Sequence, residues 1–123
     1  MRVGILSFGF KHGLPLEADL VADVRFIPNP YFVPELKNLD GKDMRVREFV
    51  MKWPEAQVFL DKYLSLLEYL IPLYRKKGKS CLTIAIGCTG GRHRSVTIAE
   101  KIFEHLNTNA QKITIAHRDI GKK

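Results

Sequence analysis

The sequence predicts an α/β fold: one domain over residues 1–123, with a sheet of about four strands covered by helices. The sheet is expected to be mainly parallel, with a mixed sheet as the alternative. Three observations predict this. Four branched apolar runs of strand length, RVGILSFG (2–9), LVADVRFI (20–27), SCLTIAIG (80–87) and KITIAH (112–117), are separated from 43 onward by stretches with helical apolar spacing. The run at 80–87 is apolar on both faces, the pattern of a central strand in a parallel sheet. The chain of 123 residues, 46% hydrophobic and 27% charged, has the length and composition of one soluble globular domain with one core.

Taken in order, 2–9 ends on a glycine and reads as a buried strand, and 11–15 forms a loop. In 20–27, Asp23 and Arg25 alternate with Val24 and Phe26, so a strand would show the first pair to one face and the second to the other. The segment PNPYFVPEL (28–36) carries three prolines and neither continues a strand nor starts a long helix; it reads as an ordered loop or arm. Residues 43–52 form a short helix capped by Asp43, and Pro54 opens a new one.

From 55 to 77 the residues Val58, Phe59, Tyr63, Leu66, Leu67, Leu70, Ile71 and Tyr74 recur at helical spacing as a core-facing stripe. Pro72 lies inside it and predicts a kink or break near 68–71. Gly78 between Lys77 and Lys79 ends the helix. A last helix over 95–107 buries Val96, Ile98, Ala99, Ile102, Phe103 and Leu106, and the strand at 112–117 precedes a polar tail. No repeat, linker or low-complexity tract divides the chain.

Twenty Lys and Arg against 13 Asp and Glu give a net charge of +7, which favours an anionic partner. The excess is local. No acid occurs between Glu68 and Glu100, while Arg75, Lys76, Lys77, Lys79, Arg92 and Arg94 do. Two cysteines, Cys81 and Cys88, are too few and too close for a disulfide framework and suit a reducing compartment. With no 18-residue apolar run and no signal-peptide pattern at the N-terminus, the protein is expected to be cytoplasmic, with no membrane partner.

The chemistry concentrates in GCTGGRHRS (87–95). A central strand feeding a glycine turn and then a helix brings backbone N–H groups and the positive helix end to one point, which attracts anions. Gly90 and Gly91 permit left-handed angles and close approach; Thr89 and Ser95 add hydroxyls; Arg92 or Arg94 can supply a planar fork for phosphate oxygens. His93 alone decides nothing, and no metal-ligand spacing surrounds it, so neither a metal nor a cofactor is expected. Cys88, five residues, Arg94 and Ser95 also fit the C-x5-R-S pattern of cysteine-dependent phosphatases, with Asp23 the best candidate for the acid. Gly78, Lys79 and Ser80 imitate the end of a nucleotide-binding P-loop, but position 73 is Leu and a strand follows.

Through SFGFKHGLPLEADLVADVRFIPNPYFVPEL (7–36), LTIAIGCTGGRHRSVTIAE (82–100) and HRD (117–119), the sequence resembles the C-terminal domain of the RapZ family of RNase adapter proteins. The resemblance implies a non-catalytic domain that binds small regulatory RNA and senses an amino-sugar phosphate, glucosamine-6-phosphate. It places the ligand on Asp23, Arg25, Asn29, Cys88, Thr89, Gly90, Gly91 and Arg94, next to the Arg92, His93 and Ser95 of the same turn. It places RNA contacts on Lys112, Arg118, Lys122 and Lys123, to which Arg75, Lys76, Lys77 and Lys79 are added for their charge. An endoribonuclease or signalling protein is a further implied partner. Self-association is expected too, through the apolar PNPYFV arm. The family's N-terminal P-loop domain has no counterpart in these residues, so nucleotide binding is not carried over. Position 31 is Tyr where some relatives place histidine.

Overall fold

A computed structural model describes residues 1–122. Strands β1 (Arg2–Gly9), β2 (Leu20–Asp23), β3 (Cys81–Cys88) and β4 (Ile113–His117) form one sheet in the order β2-β3-β1-β4, parallel throughout. Helices α1 (Met44–Met51) and α2 (Pro54–Lys76) connect β2 to β3, and α3 (Arg94–Leu106) connects β3 to β4. The expected α/β class and strand count are what the chain adopts, with ends shifted by a residue where caps decide them.

Handedness distributes the layers. Both helical connections move the chain the same way across the sheet, and right-handed crossovers of one direction lie on one face. That face carries Val3 and Ile5 of β1, Leu82, Ile84 and Ile86 of β3 and Ile113 of β4, which form one core with Val46, Val50, Leu67, Ile71, Ile98 and Ile102. Ile84 and Ile86 have no exposed surface, and each such side chain contributes on the order of 2 kcal/mol. The connection from β1 to β2 runs the opposite way, and residues 10–19 hold only a 3-10 turn at Phe10–His12. On the second face Gly4, Thr83, Ala85, Gly87, Thr114 and Ala116 leave room that Leu6 and Phe8 of β1 fill. The rings of Phe8 and Phe10 lie so close to Gly87 that a Cβ there would meet them at 2.5 and 2.6 Å.

Three elements depart from the expected pattern. Strand β2 ends at Asp23 rather than 27, because Arg94 of α3 captures the carbonyls of Arg25 and Ile27 and turns the chain. Val24 is buried, but Phe26 is 49% exposed instead of sharing its face. Helix α2 runs unbroken through Pro72, anchored by buried Leu67 and Ile71; the carbonyl that proline leaves unbonded is that of exposed Glu68. Within the expected stripe, Val58 and Leu66 face outward, and Ala56 joins Leu67 and Ile71 in the core. The proline-rich segment folds as a 3-10 turn, Pro30–Phe32, whose first N–H groups are capped by Asn29.

Gly91 has φ +77°, and a Cβ on it would stand 2.5 Å from Gly9 N and 2.7 Å from Phe8 C. Gly78 has φ +84° but open space around it. Both alanine variants incur the left-handed penalty of about 1–2 kcal/mol, and Gly91→Ala adds overpacking of about 1–3 kcal/mol. Urea unfolding is expected to show Gly91→Ala clearly less stable than Gly78→Ala; equal losses would contradict the close approach of β1 to the turn.

Candidate functional site

The onward connections of adjacent strands β1 and β3 diverge, one towards β2 and the other towards β4. Such a switch point opens a crevice at the C-terminal ends of the strands. Here it holds a pocket of about 500 Å³, walled by the 88–94 turn, by residues from 29 to 38, and by Lys11 and Lys122. Lys11, Lys37, Arg92, Arg94 and Lys122 line it and, among the described residues, no carboxylate does, so its field favours anions.

Arg94 is the centre of this site. It is 4% exposed; Nη1 donates to the carbonyls of Arg25 at 2.8 Å and Ile27 at 2.9 Å, and Nη2 donates to Thr89 Oγ1 at 3.3 Å. Nε, on the edge it shares with Nη2, is buried with no acceptor among the described residues. Burial lowers the guanidinium below its ordinary value, and nearby Cys88 and Asp23 partly oppose that. Nη1 of the guanidinium thus fixes the pocket wall, while Nε remains a buried donor with no acceptor among the described residues.

Cys88, 2% exposed, ends β3, and its Sγ donates to Ser95 Oγ at 3.1 Å. Above it the N–H groups of residues 89–93 find no hydrogen-bond partner among the described residues, and α3 adds its positive end. His93 donates from Nε2 to the Leu39 carbonyl at 2.6 Å, and burial lowers its pKa, so it is a neutral wall at pH 7.

The turn is held from behind by Asp119, whose side chain has no exposed surface. Its carboxylate accepts from Gly9 N at 2.7 Å, from Arg118 and from Lys122 Nζ at 2.7 Å. Burial alone would raise its pKa; Arg118, Lys122 and the Gly9 N–H outweigh that and hold it well below the usual carboxylate range. Arg92 Nε donates to the Ile120 carbonyl at 3.0 Å, which closes the tail over the turn.

Of the residues expected at the ligand, Asn29, Cys88, Thr89, Gly90, Arg92, His93 and Arg94 line the pocket. Gly91 and Ser95 stand behind the lining, one against Gly9 and the other beneath Cys88. Asp23 and Arg25 pair with each other at 2.7 Å, outside the lining, and the Arg25 guanidinium lies 4.0 Å over the Phe10 ring. Cys88 and Arg94 are therefore brought together, while the third member of the phosphatase set, Asp23, is engaged by Arg25, which lowers its pKa further.

The cations expected at RNA divide between the two ends of the sheet. Arg118 and Lys122 belong to the pocket end, whereas Arg75, Lys76, Lys77, Lys79 and Lys112 precede β3 and β4 at the other. Of these, Lys79 is paired with Asp19 at 2.8 Å, and Arg75 contacts Gln111. Lys123 lies outside the described residues. Sequence reasoning missed Lys11, Lys37 and Asn38 as lining; Lys11 had a signal, since it follows the glycine ending β1 much as the turn follows β3. Among the described residues, no group of three or more His, Cys, Asp or Glu could hold a metal ion, and no helix is long and apolar enough to cross a membrane.

Residues 1–121 match the family model described as the RapZ C-terminal domain. Among similar proteins are nucleotide-binding proteins of Desulforapulum autotrophicum, 59% identical over 122 residues, and of Caldicellulosiruptor saccharolyticus, 57% identical over 122. Another, of Geotalea uraniireducens, is 52% identical over 122 residues. In each case the match takes in 99% of this chain but 42% of the relative. The chain thus spans less than half the length of these relatives.

The depressed pKa of Asp119 sets a pH signature. Its unfolded value is about 3.9; because the folded value is lower, its stabilisation is complete above that pH and is lost as pH falls through the folded value. Asp119→Asn is expected to lose about 1.5–3 kcal/mol at pH 7 and to show a flatter acid limb than the parent in urea unfolding between neutral and acid pH. Parallel acid limbs would remove Asp119 as the tie.

Proposed function

The chain belongs to the RapZ C-terminal domain family, and on that premise we propose that it is a non-catalytic regulatory domain whose pocket binds an amino-sugar phosphate resembling glucosamine-6-phosphate. The observation that carries the reading is the buried Nε of Arg94, without an acceptor among the described residues, in a pocket that these line with five cations and no acid. A phosphate dianion matches that donor, the Thr89 hydroxyl and the N–H groups of the turn. Asn29 and Asn38 supply amides for sugar hydroxyls, and the half-exposed ring of Tyr31 supplies an apolar surface for the sugar.

Small regulatory RNA is the proposed macromolecular partner, held through phosphate contacts of Arg118 and Lys122 and of the basic group at the opposite end. An endoribonuclease or signalling protein is the proposed recipient of the signal, and the cytoplasm the proposed compartment. A second reading, cysteine-dependent phosphatase chemistry, is favoured by the contact of Cys88 Sγ with Ser95 Oγ beside Arg94. With Asp23 engaged elsewhere, an aryl phosphate, whose leaving group needs no acid, is the substrate to try. Release that disappears in Cys88→Ser would support that chemistry; no release, or release unchanged in the variant, would remove it.

Calorimetric titration is expected to give saturable binding of glucosamine-6-phosphate, no binding of glucosamine, and inorganic phosphate at least tenfold weaker. Thr89→Val should weaken the sugar phosphate about tenfold, the equivalent of one hydrogen bond to a charged group. Arg94→Ala does not isolate the ligand contact, because the same side chain holds the carbonyls of Arg25 and Ile27. Arg94→Lys keeps the charge and should lose binding, and that loss is assigned to the ligand contact where thermal melting matches the parent. Equal affinity for inorganic phosphate would reduce the pocket to a general anion cradle. For RNA, Lys122→Ala should lower the slope of log K against log salt by about 1, and an unchanged slope would remove Lys122 from the contact.

A further inference from the structure

Strand β3 carries a cysteine at each end. Cys81, where the strand begins, is exposed; Cys88, where it ends, is 2% exposed and lines the pocket. Exposure favours reaction at Cys81, but the reactive species is the thiolate, and thiolates form where positive charge and hydrogen-bond donors surround the sulfur. The cation near Cys81 is Lys79, already paired with Asp19 at 2.8 Å. Cys88 is followed directly by the N–H groups of residues 89–93, unpartnered among the described residues, and by the positive end of α3. Burial lowers the Arg94 guanidinium, and charge on Cys88 opposes that both directly and through a hydrogen bond; Arg25, raised chiefly by its bond to Asp23, is raised further by the same charge. The Ser95 hydroxyl, 3.1 Å from Sγ, accepts from the thiol and, with its own proton turned round, donates to the thiolate.

A second observation, independent of the sulfur, points to an oxygen ligand at the same place. Arg94 is 4% exposed, and its Nε is a buried donor with no acceptor among the described residues, in a pocket that these line with five cations and no acid. An oxygen carried by Sγ adds an acceptor to this wall, and the cavity of about 500 Å³ has ample room for a molecule of two oxygen atoms. We propose that Cys88 is a peroxide-reactive thiol, converted by hydrogen peroxide to the sulfenate and returned to the thiol by a small thiol in solution.

The thiol proton first passes to solvent. The sulfur then attacks one peroxide oxygen, and the S–O bond forms as the O–O bond breaks; sulfur supplies the two electrons that reduce the peroxide. The transferred oxygen gives its proton to the departing hydroxide, which leaves as water. The negative charge stays in the pocket throughout, first on sulfur and then on oxygen, so the same cations and N–H groups hold thiolate and sulfenate. Two molecules of thiol reverse the change: one forms a mixed disulfide with release of water, and the second frees Cys88 and departs in the disulfide. Cys81 cannot act as the first of these, being about 23 Å away along the strand. The step needs neither the acid of phosphoryl transfer nor any other ligand in the pocket, so it stands apart from the phosphosugar reading.

Timed treatment of the full chain with hydrogen peroxide tests this, with mass spectrometry of the two cysteine peptides reading the gain of one oxygen and, where dimedone is present, its adduct with the sulfenic acid. The Cys88 peptide is expected to react at least about tenfold faster than the Cys81 peptide, to do so equally in Cys81→Ser, and to recover its original mass with dithiothreitol when dimedone is left out. Ser95→Ala, shown by thermal melting to fold, should slow Cys88 at least about threefold and leave Cys81 unchanged. Reaction confined to Cys81, equal rates at the two cysteines, or an oxidised Cys88 that dithiothreitol does not restore would overturn the proposal. An unchanged Cys88 rate in Ser95→Ala would overturn the part given to the hydroxyl.

Discussion

The carboxylate of Asp119 has no exposed surface, and three stretches of chain meet at it: the end of β1 through the Gly9 N–H, the tail through Arg118 and Lys122, and, pressed against the same backbone, Gly91 of the turn. A buried charge is tolerated only when paired and hydrogen-bonded, so this group demands its partners and fixes them in space. A Cβ on Gly91 would stand 3.0 Å from the Asp119 Cβ, so the turn packs this closely only because Gly91 has no side chain and adopts a positive φ. The knot holds the floor of the pocket from behind, while the N–H groups of Lys11 and Gly41 tie the same turn through the carbonyls of Thr89 and Arg92.

Arg94 shows how one side chain serves both the scaffold and the site. A guanidinium has five N–H groups in one plane; here Nη1 stops β2 at Asp23 by holding two carbonyls, and Nε is buried with no acceptor among the described residues. Under the proposed function the wall and the ligand contact are referenced to one rigid plane, the arrangement in which a binding group is placed by its own structural contacts. A lysine could hold the charge but not both positions.

The parts of the molecule legible in the sequence were those decided locally. Strand β1, the last strand, Asp43 and Pro54 as helix starts, Gly78 as a helix end and the composition of the turn are read from neighbours in the chain. The end of β2 was not legible, because it is set by an arginine 67 to 69 positions away in sequence. Nor was the continuity of α2, since Pro72 breaks a helix only where the released carbonyl is buried, and Glu68 is not. Lys11, Lys37 and Asn38 reach the pocket through loops that carry no periodicity, and Asp23 and Arg25 look like site residues in one dimension but satisfy each other in three.

A parallel sheet sends every strand the same way, so the segments that enter the strands and those that leave them lie at opposite ends, about 26 Å apart over eight residues of β1 or β3. The cations before β3 and β4 are consequently separated from those around the pocket by the length of the sheet, and a ligand small enough for a cavity of about 500 Å³ touches only one group. Under the proposed function this separates two effects that a single basic patch would merge. A phosphosugar neutralises charge at the pocket end by direct occupation, while the distant cations keep their field, screened over about 8 Å at physiological salt. An RNA gripping both ends would feel the ligand through half of its phosphate contacts, so the two kinds of anion are coupled by shared charge without any change in fold being required.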